Sequence, residues 1–214
     1  MSRVITIDGP AGVGKGTISK QLSHYLNAEI LNSGEIYRTI AYNIIKHKIN
    51  QNDISSIIEY VKSFDYKPLS SNKLYNKNID LVSSKISSIS ELRKLVVKIQ
   101  IDFTKLDSNT NKLLIAEGRD MGTAIFPKAK IKIFLWANSK IRAQRRYQQI
   151  KKAKKNRKFD TILEEIKLRD FRDMSRKIAP LQPAEDSYLI DNSNLDIEQC
   201  FNKILKIIKK NKII

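Results

Sequence analysis

Apolar residues fall along this chain in two alternating rhythms. Short continuous runs at Val4–Ile7, Ala28–Leu31, Lys112–Glu117, Lys130–Trp136 and Tyr188–Ile190 predict buried strands, because a strand covered on both faces loses its polar alternation. Between them the spacing changes to i, i+3, i+4. Ile18, Leu22, Tyr25 and Leu26 share one helical face over 17–27, and Ile36, Ile40, Ile44 and Ile45 do so over Glu35–His47. Helical spacing continues over 53–63, 82–88 and 90–106, and again over Ser139–Lys152, Asp160–Ser175 and Leu195–Lys210. Over 64–80 the periodicity fails, and turn residues with short alternating stretches predict a small hairpin-like excursion. Strands that alternate with helices predict an α/β fold with a mostly parallel sheet. Right-handed crossovers then bring the strand C-termini, and any site they carry, to one edge.

Composition narrows this picture in a few places. The 214 residues suffice for one well-packed domain with small insertions, and a hydrophobic fraction of 41% is globular. No stretch approaches the roughly 20 apolar residues of a membrane span, and strand pattern begins too early for a signal peptide, so no membrane association is expected. Cys200 is the single cysteine, which excludes an internal disulfide and fits a reducing cytoplasm; it reads as a small buried residue. With two histidines beside it, the chain lacks the ligands of a usual zinc site, and no metal site built from its own residues is expected. The net charge of +18 allows three readings: nucleic-acid binding, steering of anionic small substrates, or plain compositional bias. Lysines are spread throughout, with runs only at 151–158 and 206–212, which favours bias over a nucleic-acid surface.

Candidate chemistry gathers at the strand ends. Residues 9–17 read Gly9, Pro10, Ala11, Gly12, Val13, Gly14, Lys15, Gly16 and Thr17, with the spacing of a phosphate-binding loop. Glycines let successive N–H groups approach one anion, the helix N-terminus behind them adds its dipole, and Lys15 supplies a charge for the β- and γ-phosphates. Gly16 stands where the general motif has a hydroxyl, which comes one residue later at Thr17 and leaves the protein ligand of Mg²⁺ open. After the second strand, Ser33, Tyr37 and Arg38 suit a second phosphate and a stacked ring, or else Ser33 simply caps a helix. Within 117–123, Arg119 and Asp120 form either a structural ion pair or a phosphate-and-base reader in which Asp120 accepts from an exocyclic amine. Arg142, Arg145 and Arg146 share one helical face by spacing, as do Arg169, Asp173 and Arg176. Each set is either a solvated face or a phosphate clamp, and guanidinium forks in a lysine-rich chain favour the clamp. Phosphoryl transfer needs positioning and charge rather than a nucleophilic side chain.

Taken together, VITIDGPAGVGKGT, LNSGEIYR, EGRDMGT, KIFLWA and IKLRDFRDMSRKIAPL resemble the bacterial cytidylate kinases, a branch of the nucleoside-monophosphate kinases. The resemblance implies a P-loop kinase fold with a five-stranded parallel sheet flanked by helices. It implies a core of residues 1–32, 108–138 and 176–214, a CMP-binding insert at 33–107, and a lid with its following helix at 139–175. The implied reaction moves the γ-phosphoryl group of ATP to CMP or dCMP with Mg²⁺. The implied partners are those small molecules, without nucleic acid or membrane, for a cytoplasmic monomer. Residues 9–17 would hold ATP, with Lys15 bridging its phosphates. Ser33, Tyr37 and Arg38 would contact the base and phosphate side of CMP. Ser84 and Asp120 would read cytosine, with Arg93 and Arg119 beside them. Arg169 and Asp173 would reach the sugar hydroxyls and Arg176 the phosphate, while Arg145 and Arg146 would be lid arginines. Segment 64–82 is shorter than the family's cytidylate-specific insert. Two alternatives stay open: a kinase of the same fold acting on UMP or AMP, and a basic nucleic-acid-binding ATPase.

Overall fold

The computed structural model describes residues 3–66, 69, 71–106, 112–152 and 156–211. In chain order the elements are β1 (Val4–Asp8), α1 (Lys15–Leu26), β2 (Glu29–Asn32), α2 (Ser33–Lys46), α3 (Ile54–Lys62), α4 (Ser71–Leu74), α5 (Lys77–Ile86), α6 (Ser90–Leu106), β3 (Leu114–Gly118), a π-turn at Met121–Ile125, β4 (Ile131–Trp136), α7 (Ser139–Lys152), α8 (Phe159–Ser175), β5 (Tyr188–Asp191) and α9 (Ile197–Lys210). The chain divides into two compact units, one of Met1–Leu31 with Lys112–Ile214 and one of Asn32–Asn111.

The first unit is built on an all-parallel five-stranded sheet in the order β2-β3-β1-β4-β5. Apolar runs dictate it: β1, β3 and β4 are buried almost throughout, as strands covered on both faces must be. Register sets Asp8 opposite Gly118 on one side and Phe134 on the other, so β1, β3 and β4 deliver their polar ends to the same edge. The order reverses around β1, since β3 lies to one side of it and β4 to the other, and such a switch point opens the crevice where α/β sheets take ligands. One core packs Ile5, Ile7, Ile115, Ile133 and Leu135 against Ile18 and Leu22 of α1 and Cys200, Ile204 and Ile208 of α9. Cys200 is the small buried residue the sequence suggests. A second cluster of Ala143, Ile150, Ile162, Leu163 and Ile166 zips α7 to α8.

The second unit is helical. Asn32 caps α2 by accepting from the Glu35 N–H at 3.1 Å, so the N-cap lies one residue before Ser33, whose side chain is released for other work. The hairpin expected over 64–80 is not found: the described residues of that stretch include helix α4 and the start of α5 and no strand. Residues 67, 68 and 70 lie outside the described ones, as do 153–155 of the basic connector and 212 of the second lysine run. The helical outcome has a local cause. Asn76 caps α5 through the Ile79 N–H at 3.0 Å, and Arg38 pairs with Asp80 while donating to the Leu74 carbonyl at 3.2 Å, which fixes both helices against α2. The Asn76 cap is local, but the Arg38 contacts are long-range and no local periodicity encodes them.

Candidate active site

In the first unit the loop after β1 meets helix α1 at Gly14, which serves as N-cap with φ 102° and offers no side chain to the first turn. The helix therefore begins with N–H groups that no capping side chain satisfies, which is the arrangement an anion fills. Gly9 sits so close to β4 that a Cβ there would lie 2.2 Å from the Leu135 carbonyl oxygen, so only glycine lets the loop leave the sheet at this point. Lys15 is half-buried, not the solvent-exposed side chain that an open loop suggests. Its Nζ donates to the carbonyls of Gly9 at 2.8 Å and Pro10 at 2.9 Å. Burial, and after it the positive charge of Arg119, holds its pKa well below the usual lysine range, against the pull of Glu117 and Asp8. An anion beside Nζ offsets both by favouring the charged form.

Around it, arginines and carboxylates interleave. Arg119 Nε donates to Asp173 Oδ2 at 2.8 Å, Arg169 Nε lies 4.0 Å from the same oxygen, and Arg176 Nη2 lies 3.7 Å from Asp120 Oδ1. The structure thus brings these five residues into two neighbouring sets, Arg119 and Arg169 on Asp173 and Arg176 on Asp120, linked by the charge of Arg176 acting on Asp173. Asp173 is held below the ordinary carboxylate range: burial pushes it up, but the charges of Arg119 and Arg169 and the Arg119 hydrogen bond outweigh that.

The arginines of α7 separate into different environments. Arg142 is buried, Arg145 is half-buried and Arg146 is exposed, so they are not a single clamp. Arg145 donates to Asn192 Oδ1 at 3.1 Å and to the Asn192 carbonyl at 2.7 Å, which places it against the β5–α9 connection. Arg142 forms a buried pair with Asp170.

Three residues of this unit escaped the sequence reading. Asn192 Nδ2 donates to the Val13 carbonyl at 2.8 Å, inside the phosphate loop, and nothing in its local sequence marks it. Glu117 is buried with Oε2 lacking a hydrogen-bond partner among the described residues, and its Oε1 lies 3.6 Å from where a Gly16 Cβ would stand. Asp8 is buried and accepts from the N–H groups of Met121 at 2.9 Å and Gly122 at 2.7 Å, pinning the turn that carries Arg119 and Asp120. A carboxylate closing an otherwise apolar buried strand is the signal that marks both acids.

Burial pushes the Asp8 carboxyl up to about 6, with the charge of Asp120 adding to it and the two backbone N–H bonds and Lys15 opposing. An acid whose folded pKa lies above its unfolded 3.8 makes stability fall as pH rises from about 4 to about 6, after which the loss is constant at ~3 kcal/mol. Thermal unfolding of Asp8→Asn across that window is expected to lose this downward slope relative to the natural protein. Parallel curves for the two proteins would contradict the assignment.

In the second unit, Ser33 Oγ accepts from buried Gln100 Nε2 at 2.8 Å. Tyr37 is buried one turn on. The Arg38 guanidinium, besides its pair with Asp80, stacks 4.6 Å over the Tyr75 ring. Ser84 and Arg93 each bond Ser87 at the α5–α6 turn: the Ser84 carbonyl accepts from the Ser87 hydroxyl at 2.9 Å, and Arg93 Nη1 donates to the Ser87 carbonyl at 3.1 Å.

A family model described as cytidylate kinase matches residues 5–210. Among curated proteins, a cytidylate kinase of Mycoplasmopsis synoviae is 40% identical over 216 residues, covering 96% of this chain and 97% of that one. One from Rickettsia africae is 41% identical over 209 residues, covering 98% and 92%. Of solved structures, an uncharacterized protein from Eubacterium ventriosum superposes with a TM-score of 0.55 at 15% identity over 97% of this chain and 98% of its own, and TT1252 from Thermus thermophilus with 0.51 at 15% over 98% and 97%. These two share the fold. On the span of the family match and the identity of its relatives, the chain belongs to the cytidylate kinase family.

Proposed function

We propose that the protein transfers the γ-phosphoryl group of ATP to CMP or dCMP, giving ADP and CDP or dCDP. The observation that carries this reading is the uncapped start of α1 at Gly14 together with Lys15 in the field of Arg119 and Arg169: amides and cations converge at one strand edge with no nucleophile among them. That inventory suits a reaction whose transition state spreads charge over phosphoryl oxygens.

In this reading residues 9–17 wrap the ATP phosphates, and Lys15 leaves the Gly9 and Pro10 carbonyls for the β- and γ-phosphates. Asp120 accepts from the cytosine amine, Arg119 and Arg176 hold the acceptor phosphate, and Arg169 with Asp173 meets the sugar hydroxyls. Ser33, Tyr37, Arg38, Ser84 and Arg93 contribute contacts to CMP from the 33–107 insert. Residues 1–32, 108–138 and 176–214 form the core and 139–175 the lid with its helix. Of the two expected lid arginines, Arg146 is the exposed one, and Arg145 lies against Asn192. The unpartnered, buried oxygen of Glu117 at Gly16 fits a hard cation, so Glu117 and Thr17 would hold Mg²⁺. The ion supplies charge neutralisation to the triphosphate when bound. Among the described residues no helix is long and apolar enough to cross a membrane; the reading takes the protein as a cytoplasmic monomer that needs no nucleic acid.

Steady-state turnover on CMP, dCMP, UMP and AMP tests the acceptor. CMP or dCMP is expected to exceed UMP by about two orders of magnitude in kcat/KM, the scale on which a buried polar group left unpaired by the wrong base is felt. Preference for AMP would reject the acceptor, and ATP hydrolysis stimulated by added DNA with a steep salt dependence would favour the nucleic-acid ATPase instead.

A further inference from the structure

We infer that Arg142 is a positioning residue for the phosphate loop: through its buried pair with Asp170 it holds the Ala11 carbonyl against α7 and so aims the Gly12 N–H at the nucleotide.

Arg142 is 1% exposed and all three of its guanidinium nitrogens are engaged. Nε donates to the Ala137 carbonyl at the end of β4 at 2.8 Å, and Nη1 donates to the Ala11 carbonyl at 3.0 Å and to Asp170 Oδ1 at 3.0 Å. Nη2 closes the fork on Asp170 Oδ2. One side chain therefore ties the phosphate loop to the C-terminal end of β4 and to α8. The loop packs directly on it, since a Gly12 Cβ would lie 3.8 Å from Arg142 Cβ.

A structural ion pair needs only its two partners. The third and fourth bonds to loop and strand carbonyls are what give this one a bearing on the nucleotide. The peptide joining Ala11 to Gly12 is trans and planar, so its carbonyl and its N–H point in opposite directions. Holding the Ala11 oxygen against α7 turns the Gly12 N–H the other way. Asn192, steadied by Arg145, does the same to the Val13 carbonyl and so to the Gly14 N–H. The carbonyls of Gly9 and Pro10, in contrast, are held by Lys15, the one donor of the set that a nucleotide draws away. Arg142 and Asn192 are thus the fixed supports of the loop and Lys15 its mobile one. This rests on the reading of residues 9–17 as the ATP site, not on the identity of the acceptor.

The test replaces the whole pair by apolar groups of similar volume, Arg142→Met with Asp170→Leu, because removing a buried pair entirely is often tolerated where removing one partner is not. The double variant is expected to keep its melting temperature within a few degrees while KM for ATP rises about tenfold, the scale of one lost hydrogen bond that orients a binding amide. KM for CMP is expected to move at least fivefold less. A folded double variant with an unchanged KM for ATP would make Arg142 merely structural and overturn the inference. Should the double variant not fold, Arg142→Lys decides by the same readout: it keeps the charge facing Asp170 but cannot reach both carbonyls, so KM for ATP rises if Arg142 positions the loop and stays put if it does not. Binding of a fluorescent ATP analogue, followed without CMP, separates this from failure of the acceptor assignment. A natural protein that binds the analogue yet turns over no CMP leaves the loop inference standing and ends the other.

Discussion

Lys15→Met is expected to lower kcat by at least ~10³ with KM for CMP little changed, since a single cation placed on a transferring phosphoryl group is worth about 10³–10⁵ in rate. The methionine fills the stem of the side chain but cannot replace the ammonium. The structure sharpens what is lost. Nζ is committed to the Gly9 and Pro10 carbonyls, so the lysine is held at the loop by the protein itself. Burial and the neighbouring Arg119 charge disfavour its protonation there, and triphosphate supplies the missing anion, so the group is charged most firmly when the substrate is bound. Two carbonyls of the buried residues Gly9 and Pro10 lose a donor in the variant, a cost of about 1–3 kcal/mol, so a melting temperature a few degrees below that of the natural protein is expected. Kinetics and thermal unfolding on the same preparation check both halves. A kcat within tenfold of the natural protein would remove Lys15 from the chemistry.

What could be read along the chain follows from the range over which each feature is encoded. The phosphate loop, α1 and the β1, β3 and β4 strands depend on neighbours in sequence, and their boundaries fall within a few residues of those the pattern predicts. Arg119 and Asp120 were legible as a pair, yet each is partnered elsewhere, Arg119 with Asp173 and Asp120 with Arg176, because the turn splays adjacent side chains toward different parts of α8 and its C-terminal end. Helical spacing put Arg142 on a face with Arg145 and Arg146, but periodicity says which residues share a face and not what covers it. The cover is Asp170, 28 residues on. The same limit hid Asn192, which reaches Val13 across 179 residues, and the Arg38–Asp80 pair that holds part of the 64–80 stretch as helix where a hairpin is expected; the Asn76 cap beside it is a local signal that the turn residues around it masked. Local chemistry was visible; the second layer that aims it was not.

That second layer also shapes the other large effect. Asp120→Ala is expected to lower the CMP-to-UMP ratio of kcat/KM by about 10², because a buried carboxylate facing an amine is left unpaired by uracil, whereas an alanine has no preference. KM for ATP should stay within about threefold, since Asp120 belongs to the turn after β3 and not to the loop. Asp120 is 3% exposed and 3.7 Å from Arg176, so the variant also leaves that guanidinium short of one negative neighbour, and some loss of CMP turnover accompanies the loss of choice. Asp120→Asn separates the two: its amide accepts from cytosine or donates to uracil, so the ratio falls while the volume is kept. A linked effect appears in stability. The negative charge of Asp120 is one of the causes that hold the Asp8 carboxyl up near 6, so its removal lowers that pKa, narrows the window between pH 4 and 6 from its upper end and reduces the stability lost across it. An unchanged CMP-to-UMP ratio in Asp120→Ala, with the Asp8 window narrowed as expected, would leave Asp120 an electrostatic neighbour of the site and hand base reading to the side chains of the 33–107 insert.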